Sequence, residues 1–109
     1  MAGALDNIKV VDLTRTLAGP FCTMMMGDMG ADVVKIEEPA QGDETRHWMP
    51  FWNEESTQFL TFNRNKRSLT VNLKDPEGVQ IVRDLAADAD VIIESFRAGA
   101  LERMGLGYE

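Results

Sequence analysis

A chain of 109 residues has room for one small domain, and 44% hydrophobic with 27% charged residues is the make-up of a folded globular protein, not of a disordered tract. A formal net charge of -7 opposes nonspecific binding to nucleic acid, whose phosphates call for a basic field. No run of about 18 apolar residues occurs, and no basic segment followed by an apolar stretch opens the chain, so neither a membrane span nor a secretory signal is expected and the cytoplasm is the default compartment.

Residues 8–13 form a short apolar run rich in β-branched side chains, followed by Thr14-Arg15-Thr16-Leu17-Ala18-Gly19-Pro20, which predicts a strand and then a turn. From Pro20 the spacing turns helical. Cys22, Met25, Met26 and Met29 recur at i, i+3, i+4 and i+7, so they are expected on the buried face, with the single cysteine acting as a small hydrophobe. Gly30 suits the end of that helix. Residues 33–36 are a second apolar run, stopped by Glu37-Glu38-Pro39. Strand, helix and strand with short links predict a parallel, right-handed βαβ unit.

Residues 40–64 are polar and rich in turn formers, holding Trp48, Pro50, Trp52 and Phe59 without periodicity. They read as an extended excursion with local helix near residues 55–59, its tryptophans pinning it to the domain. A third strand is expected near residues 69–73, in an alternating stretch that begins at Ser68. Asp75-Pro76-Glu77 then supplies an N-cap, a first-turn proline and an acidic residue at the positive end of a helix. Val79, Val82 and Ala86, beside Ile81 and Leu85, form its apolar stripe. Residues 91–94 are a fourth strand and residues 98–104 a short last helix. The fold class is therefore α/β, a parallel sheet with helices on both faces. With no closing element after the last helix, the chain is expected to have been cut at Glu109.

Ligands of an open parallel sheet bind at the carboxyl ends of its strands, so the loops after residues 13, 36, 73 and 94 are where chemistry is expected. The first loop sets a glycine beside a helix amino terminus, where backbone amides can approach a phosphate. It lacks the G-x-G-x-x-G fingerprint, which counts against a dinucleotide reading even though Glu37 and Glu38 stand about 20 residues on, where an acidic group would hold a ribose. Arg64-Asn65-Lys66-Arg67 is a dense basic cluster, joined later by Lys74, Arg97 and Arg103. Such cations suit a polyphosphorylated ligand. Spacing alone favours the plainer alternative, a solvated loop in salt bridges with the many carboxylates. His47 is the only histidine and has no second ligand at metal spacing, so it reads as a surface residue and no metal site is expected.

The wording of the segments goes further than their spacing. Leu17-Ala18-Gly19-Pro20-Phe21, the stretch Gly27-Asp28-Met29-Gly30-Ala31-Asp32 with Val33-Val34-Lys35-Ile36-Glu37, Gly42-Asp43-Glu44-Thr45-Arg46, Asn63-Arg64-Asn65-Lys66-Arg67-Ser68-Leu69 and Gly99-Ala100-Leu101-Glu102-Arg103-Met104-Gly105 resemble the family III CoA-transferases, the CaiB/BaiF group. Formyl-CoA transferase and α-methylacyl-CoA racemase belong to the same group. The resemblance implies that residues 1–109 are the Rossmann-like amino-terminal part of the CoA-binding α/β domain, with the rest of the enzyme absent. It also implies an enzyme that moves CoA from an acyl-CoA thioester to a carboxylic acid, with CoA or acyl-CoA as substrate and no permanently bound cofactor. Matching positions imply that Leu17 and Ala18 border the thiol arm, that Val71, Asn72, Leu73 and Lys74 with Ser95, Phe96 and Arg97 surround the adenosine portion, and that Arg103 meets a phosphate. Glu38 departs from the pattern: relatives often carry arginine there, and a carboxylate repels phosphate. The segment from Trp52 to Asn63, especially Glu55-Ser56-Thr57, is similar to the branch acting on dicarboxylates such as glutarate or succinate.

The family nucleophile is an aspartate that forms a mixed anhydride with the acyl group and then a side-chain CoA thioester. Its matching position lies beyond Glu109, so no catalytic residue is expected in this chain and the chain alone is expected to be inactive. Family members form interlocked homodimers. The alternatives are a CoA- or nucleotide-binding module without catalysis, an acyl-CoA racemase of the same family, and a dinucleotide oxidoreductase domain.

Overall fold

The computed structural model describes residues 2–108. In chain order it contains β1 (Lys9–Leu13), α1 (Ala18–Asp28), β2 (Asp32–Glu37), a 3-10 turn (Glu44–His47), two short strands β3 (Phe51–Trp52) and β4 (Glu55–Ser56), α2 (Thr57–Phe62), β5 (Lys66–Thr70), α3 (Pro76–Ala87), β6 (Val91–Glu94) and α4 (Ala100–Arg103). Four strands form one sheet in the order β5-β2-β1-β6, and every pairing in it is parallel. This is the 3-2-1-4 portion of a doubly wound sheet, one half and the first strand of the other, with the direction of winding reversing between β1 and β6. β3 and β4 make a separate antiparallel hairpin.

Strand alternation divides the core between the two faces. Val11, Leu13, Ile36 and Val71 pack with Val82 and Leu85 of α3 on one face, while Val10, Val33 and Ala31 pack with Met26 of α1 on the other. Each buried aliphatic side chain contributes about 1.5–3 kcal/mol, enough to hold a helix against each face. The N-cap of α3 is as expected: the Asp75 carboxylate accepts from the Glu77 amide at 2.9 Å. Its stripe is right except at Ile81, which is exposed while Val82 is buried.

The third sheet strand sits three residues earlier than its expected span. Residues 66–70 pair in register with residues 33–37, and the Val71 amide still donates to the Glu37 carbonyl at 2.9 Å. The Asn72 side chain then accepts from the Lys74 amide at 3.0 Å and turns the chain toward α3. Lys66 and Arg67 therefore lie in a strand, not a loop. The buried face of α1 also differs from its expected one. Pro20, Thr23 and Met24 face inward, whereas Cys22, Met25 and Met29 are exposed. The helix is apolar around most of its circumference, so periodicity could not choose a face; the Thr23 hydroxyl chooses it by donating to buried Asp12 at 2.6 Å.

In the excursion, helix α2 begins after the hairpin, with the Ser56 hydroxyl capping it by accepting from the Phe59 amide at 3.3 Å. The expected anchoring by tryptophan does not occur: Trp52 is 65% exposed, and the Arg46 guanidinium, 3.8 Å from the Phe59 ring centre, holds the segment instead.

Candidate functional site

The carboxyl ends of β1 and β2 carry a buried polar layer on the α1 face. Asp12 and Lys35 are register partners in the two strands and both are almost fully buried. Asp12 accepts from the Thr14 amide at 2.9 Å and from the hydroxyls of Thr14 and Thr23. Its ionic partner is Lys66, whose ammonium lies 3.1 Å away and also donates to the Pro20 carbonyl at 3.0 Å and the Asn63 side chain at 2.9 Å. Lys35 pairs instead with Asp43 at 2.8 Å and donates to the Thr14 carbonyl at 3.1 Å. Glu37 accepts from Arg46 through two bonds of 2.7 Å, from the Asp43 amide at 2.8 Å and from Ser68. Among the described residues no buried side-chain nitrogen or oxygen lacks a partner.

These contacts decide the ionisation of the layer. Burial alone would raise the Glu37 carboxyl, but hydrogen bonds from Arg46, Ser68 and the Asp43 amide outweigh it and hold the group down at about 2. Burial likewise opposes ionisation of Asp12 and Asp43, and the hydroxyl, amide and lysine contacts still bring both below the usual carboxylate range. For Lys66 burial prevails and lowers the ammonium despite the attraction of Asp12. The layer ties the β1–α1 loop to residues 38–48 without leaving a free nucleophile.

Two close approaches set the loops around it. A methyl group at Gly19 would meet the Thr14 side chain at 2.3 Å, and one at Gly78 would meet the Asn72 carbonyl oxygen at 2.0 Å. Glycine at these positions lets α1 and α3 pack onto the strand ends. Thr16 adopts a left-handed backbone with φ 75°, held by its amide donating to Asp43 at 3.3 Å and its hydroxyl bonding to Glu44.

On the α3 side of the strand ends lies a cleft of about 420 Å³, lined by Leu13, Arg15, Glu38, Val71, Asn72, Leu73, Lys74 and Phe96 among others. A second recess of about 730 Å³ adjoins it, sharing Leu73, Lys74 and Met104 and adding Arg103. Of the sequence-expected residues, Val71, Asn72, Leu73, Lys74 and Phe96 meet in the first cleft and Arg103 in the second. Leu17, Ala18, Ser95 and Arg97 line neither. Leu17 and Ala18 are exposed at the start of α1, and the Ser95 hydroxyl accepts from the Arg15 amide at 3.2 Å. A further hollow of about 700 Å³ beside β6 contains Leu13, Val82, Ile92 and Leu101; its one cation, Arg83, is occupied by the Gly105 carbonyl.

The cations sort into two groups. The dense cluster is used internally: Arg64 pairs with Asp28, Lys66 with Asp12 and Arg67 with Asp32. Lys9, Lys35 and Arg46 are also in salt bridges. Among the described residues, the side chains of Arg15, Lys74, Arg97 and Arg103 have neither a salt bridge nor a hydrogen bond; the first three stand in the connections after β1, β5 and β6, and Arg103 ends α4. Both acidic residues of the dinucleotide reading are engaged as well, Glu37 as above and Glu38 by the amides of Ala40, Gln41 and Gly42, which hold its carboxyl below the usual range.

Comparison with known proteins then fixes the family. The sequence profile of CoA-transferase family III matches residues 5–109. The chain belongs to this family. It is 58% identical over 106 residues to succinyl-CoA:glutarate CoA-transferase of Mus musculus, covering 96% of this chain and 24% of that protein. Against succinyl-CoA:mesaconate CoA-transferase of Haloarcula marismortui it is 46% identical over 112 residues, covering 98% of this chain and 28% of that protein. A crystal structure of a CaiB/BaiF family protein from Brucella suis superposes with a TM-score of 0.92 at 43% identity, over 99% of this chain and 30% of that one. The family III chain thus spans about a quarter of the length of these curated relatives. No helix among the described residues is long and apolar enough to cross a membrane.

Proposed function

We propose that residues 1–109 form the amino-terminal part of the CoA-binding domain of a CoA-transferase that moves CoA from succinyl-CoA or a similar thioester to a dicarboxylic acid. The observation that carries this reading is the convergence of Val71, Asn72, Leu73, Lys74 and Phe96 on one cleft, bordered by cations without internal partners. A guanidinium or ammonium free of carboxylates can give charge-assisted hydrogen bonds to phosphate, and the apolar wall of Leu13, Val71 and Phe96 suits a nucleobase. The names of the relatives, which act on glutarate and mesaconate, support a dicarboxylate acceptor.

In this reading Arg103 meets a CoA phosphate from the adjoining recess, Leu17 and Ala18 border the thiol arm, and Ser95 and Arg97 complete the adenosine surroundings. The full-length protein is a cytoplasmic interlocked homodimer. Its aspartate nucleophile lies outside these residues: the carboxylate attacks the thioester carbonyl, expels the CoA thiolate and leaves a mixed anhydride. A chain holding only the binding contacts cannot complete that step.

The test is to incubate full-length protein and the 109-residue chain separately with succinyl-CoA and a panel of carboxylic acids, and to identify new CoA esters by mass spectrometry. Glutaryl-CoA or a related ester from the full-length protein alone is expected. CoA binding without transfer by the full-length protein would favour a binding module, and deuterium exchange at the α-carbon of a 2-methylacyl-CoA without transfer would favour a racemase.

A further inference from the structure

We propose that Arg15 is an anion-binding residue of the cleft, meeting a phosphate of the nucleotide ligand from the β1 end of the sheet. The inference rests on the reading of the cleft as a CoA site and adds a contact to it. Arg15 follows β1, and its amide donates to the Ser95 hydroxyl after β6 at 3.2 Å. It therefore stands between the two strands where the winding reverses, the place at which open α/β sheets receive nucleotides.

Its loop is held from the other side as well, since the next residue, Thr16, is fixed in a left-handed backbone by Asp43 and Glu44. The guanidinium carbon lies 5.1 Å from the centre of the Phe96 ring, and both residues line the cleft. Cation–π attraction to the ring restrains the guanidinium while leaving its N–H groups free to face an oxyanion. No carboxylate lies within salt-bridge distance of it, although attraction between Arg15 and Glu38 across the cleft helps to lower the Glu38 carboxyl. The carboxylate across the cleft, Glu38, already accepts from three backbone amides. The β2 end therefore offers no cation in this sequence, and the β1 end does.

The experiment is calorimetric titration of full-length wild type, Arg15→Gln and Arg15→Lys with CoA and with dephospho-CoA, each at low and high salt. Because the bond to Ser95 uses the backbone, the glutamine variant should melt within a few degrees of wild type, and the lysine variant covers the case in which it does not. Loss of one charge-assisted phosphate contact should weaken CoA binding by about tenfold in Arg15→Gln and flatten its salt dependence, with Arg15→Lys in between. A loss confined to CoA assigns the contact to the 3′-phosphate; an equal loss for both ligands assigns it to the pyrophosphate. Either result supports the proposal. Unchanged affinity and salt dependence in Arg15→Gln, with wild type binding CoA normally, would overturn it. Wild type that binds neither ligand would overturn the reading of the cleft and the role of Arg15 together.

Discussion

The two groups of cations present the same chemistry in opposite states. Around β5, Arg64, Lys66 and Arg67 are packed closely in sequence, yet each faces a carboxylate of α1, β1 or β2. On the α3 side of the sheet, Arg15, Lys74, Arg97 and Arg103 are scattered in sequence and brought after the strands by the topology without such partners. Density of positive charge along the chain is thus a poor guide to an anion site. What matters is whether the fold places a carboxylate opposite each cation, and a net charge of -7 makes an unpartnered one informative.

The largest expected effect comes from breaking the buried end of the first group. Asp12→Ala leaves the Lys66 ammonium buried without its counter-ion and should cost about 3–5 kcal/mol of stability, measured by urea denaturation. A loss below about 1 kcal/mol would mean that the layer does not hold the strand ends together.

A second effect is a pH dependence. The Glu37 carboxyl lies at about 2, below its ordinary 4.5, so its contribution to stability is present above the ordinary value and is lost as pH falls through this window toward the folded value. Wild type should lose melting temperature between these limits. Glu37→Gln should be less stable at neutral pH and show a shallower acid decline, read by thermal melts across the window.

The smallest effect is expected from the exposed members of the first group. Arg67→Ala removes a pair whose side chains are 70% and 51% exposed, so stability should change by less than about 1 kcal/mol in the same denaturation experiment.

The sheet was legible in the sequence because its central strands are β-branched runs bounded by Gly, Pro and acidic stops, and because Asp75-Pro76 marks the start of α3 unambiguously. The strand ends, and with them the location of the cleft, followed from that reading. The start of β5 was hidden because Lys66 and Arg67 look like loop residues; only the pairing with β2 shows that the Lys66 stem runs inward to Asp12. The β3–β4 hairpin, with two residues per strand, is too short to show alternation. The buried layer left a signal that periodicity passes over, namely Asp12 and Lys35 within otherwise apolar runs. Which carboxylate meets which lysine depends on register and on the return of residues 38–48, and neither is encoded locally. The surroundings of Arg15 are likewise not encoded locally: Phe96 and Ser95, which meet it, lie some 80 residues away.

The most direct test of the central claim, that unpartnered cations at the strand ends form the CoA site while the β5 cluster is structural, is one calorimetric comparison in the full-length protein. Lys74→Ala combined with Arg103→Ala should weaken CoA binding by about 2–4 kcal/mol, taking about 1–2 kcal/mol for each charge-assisted contact, while Arg64→Ala combined with Arg67→Ala should leave affinity within about 0.5 kcal/mol of wild type. Equal losses from the two double variants, or a larger loss from the β5 pair, would contradict the account.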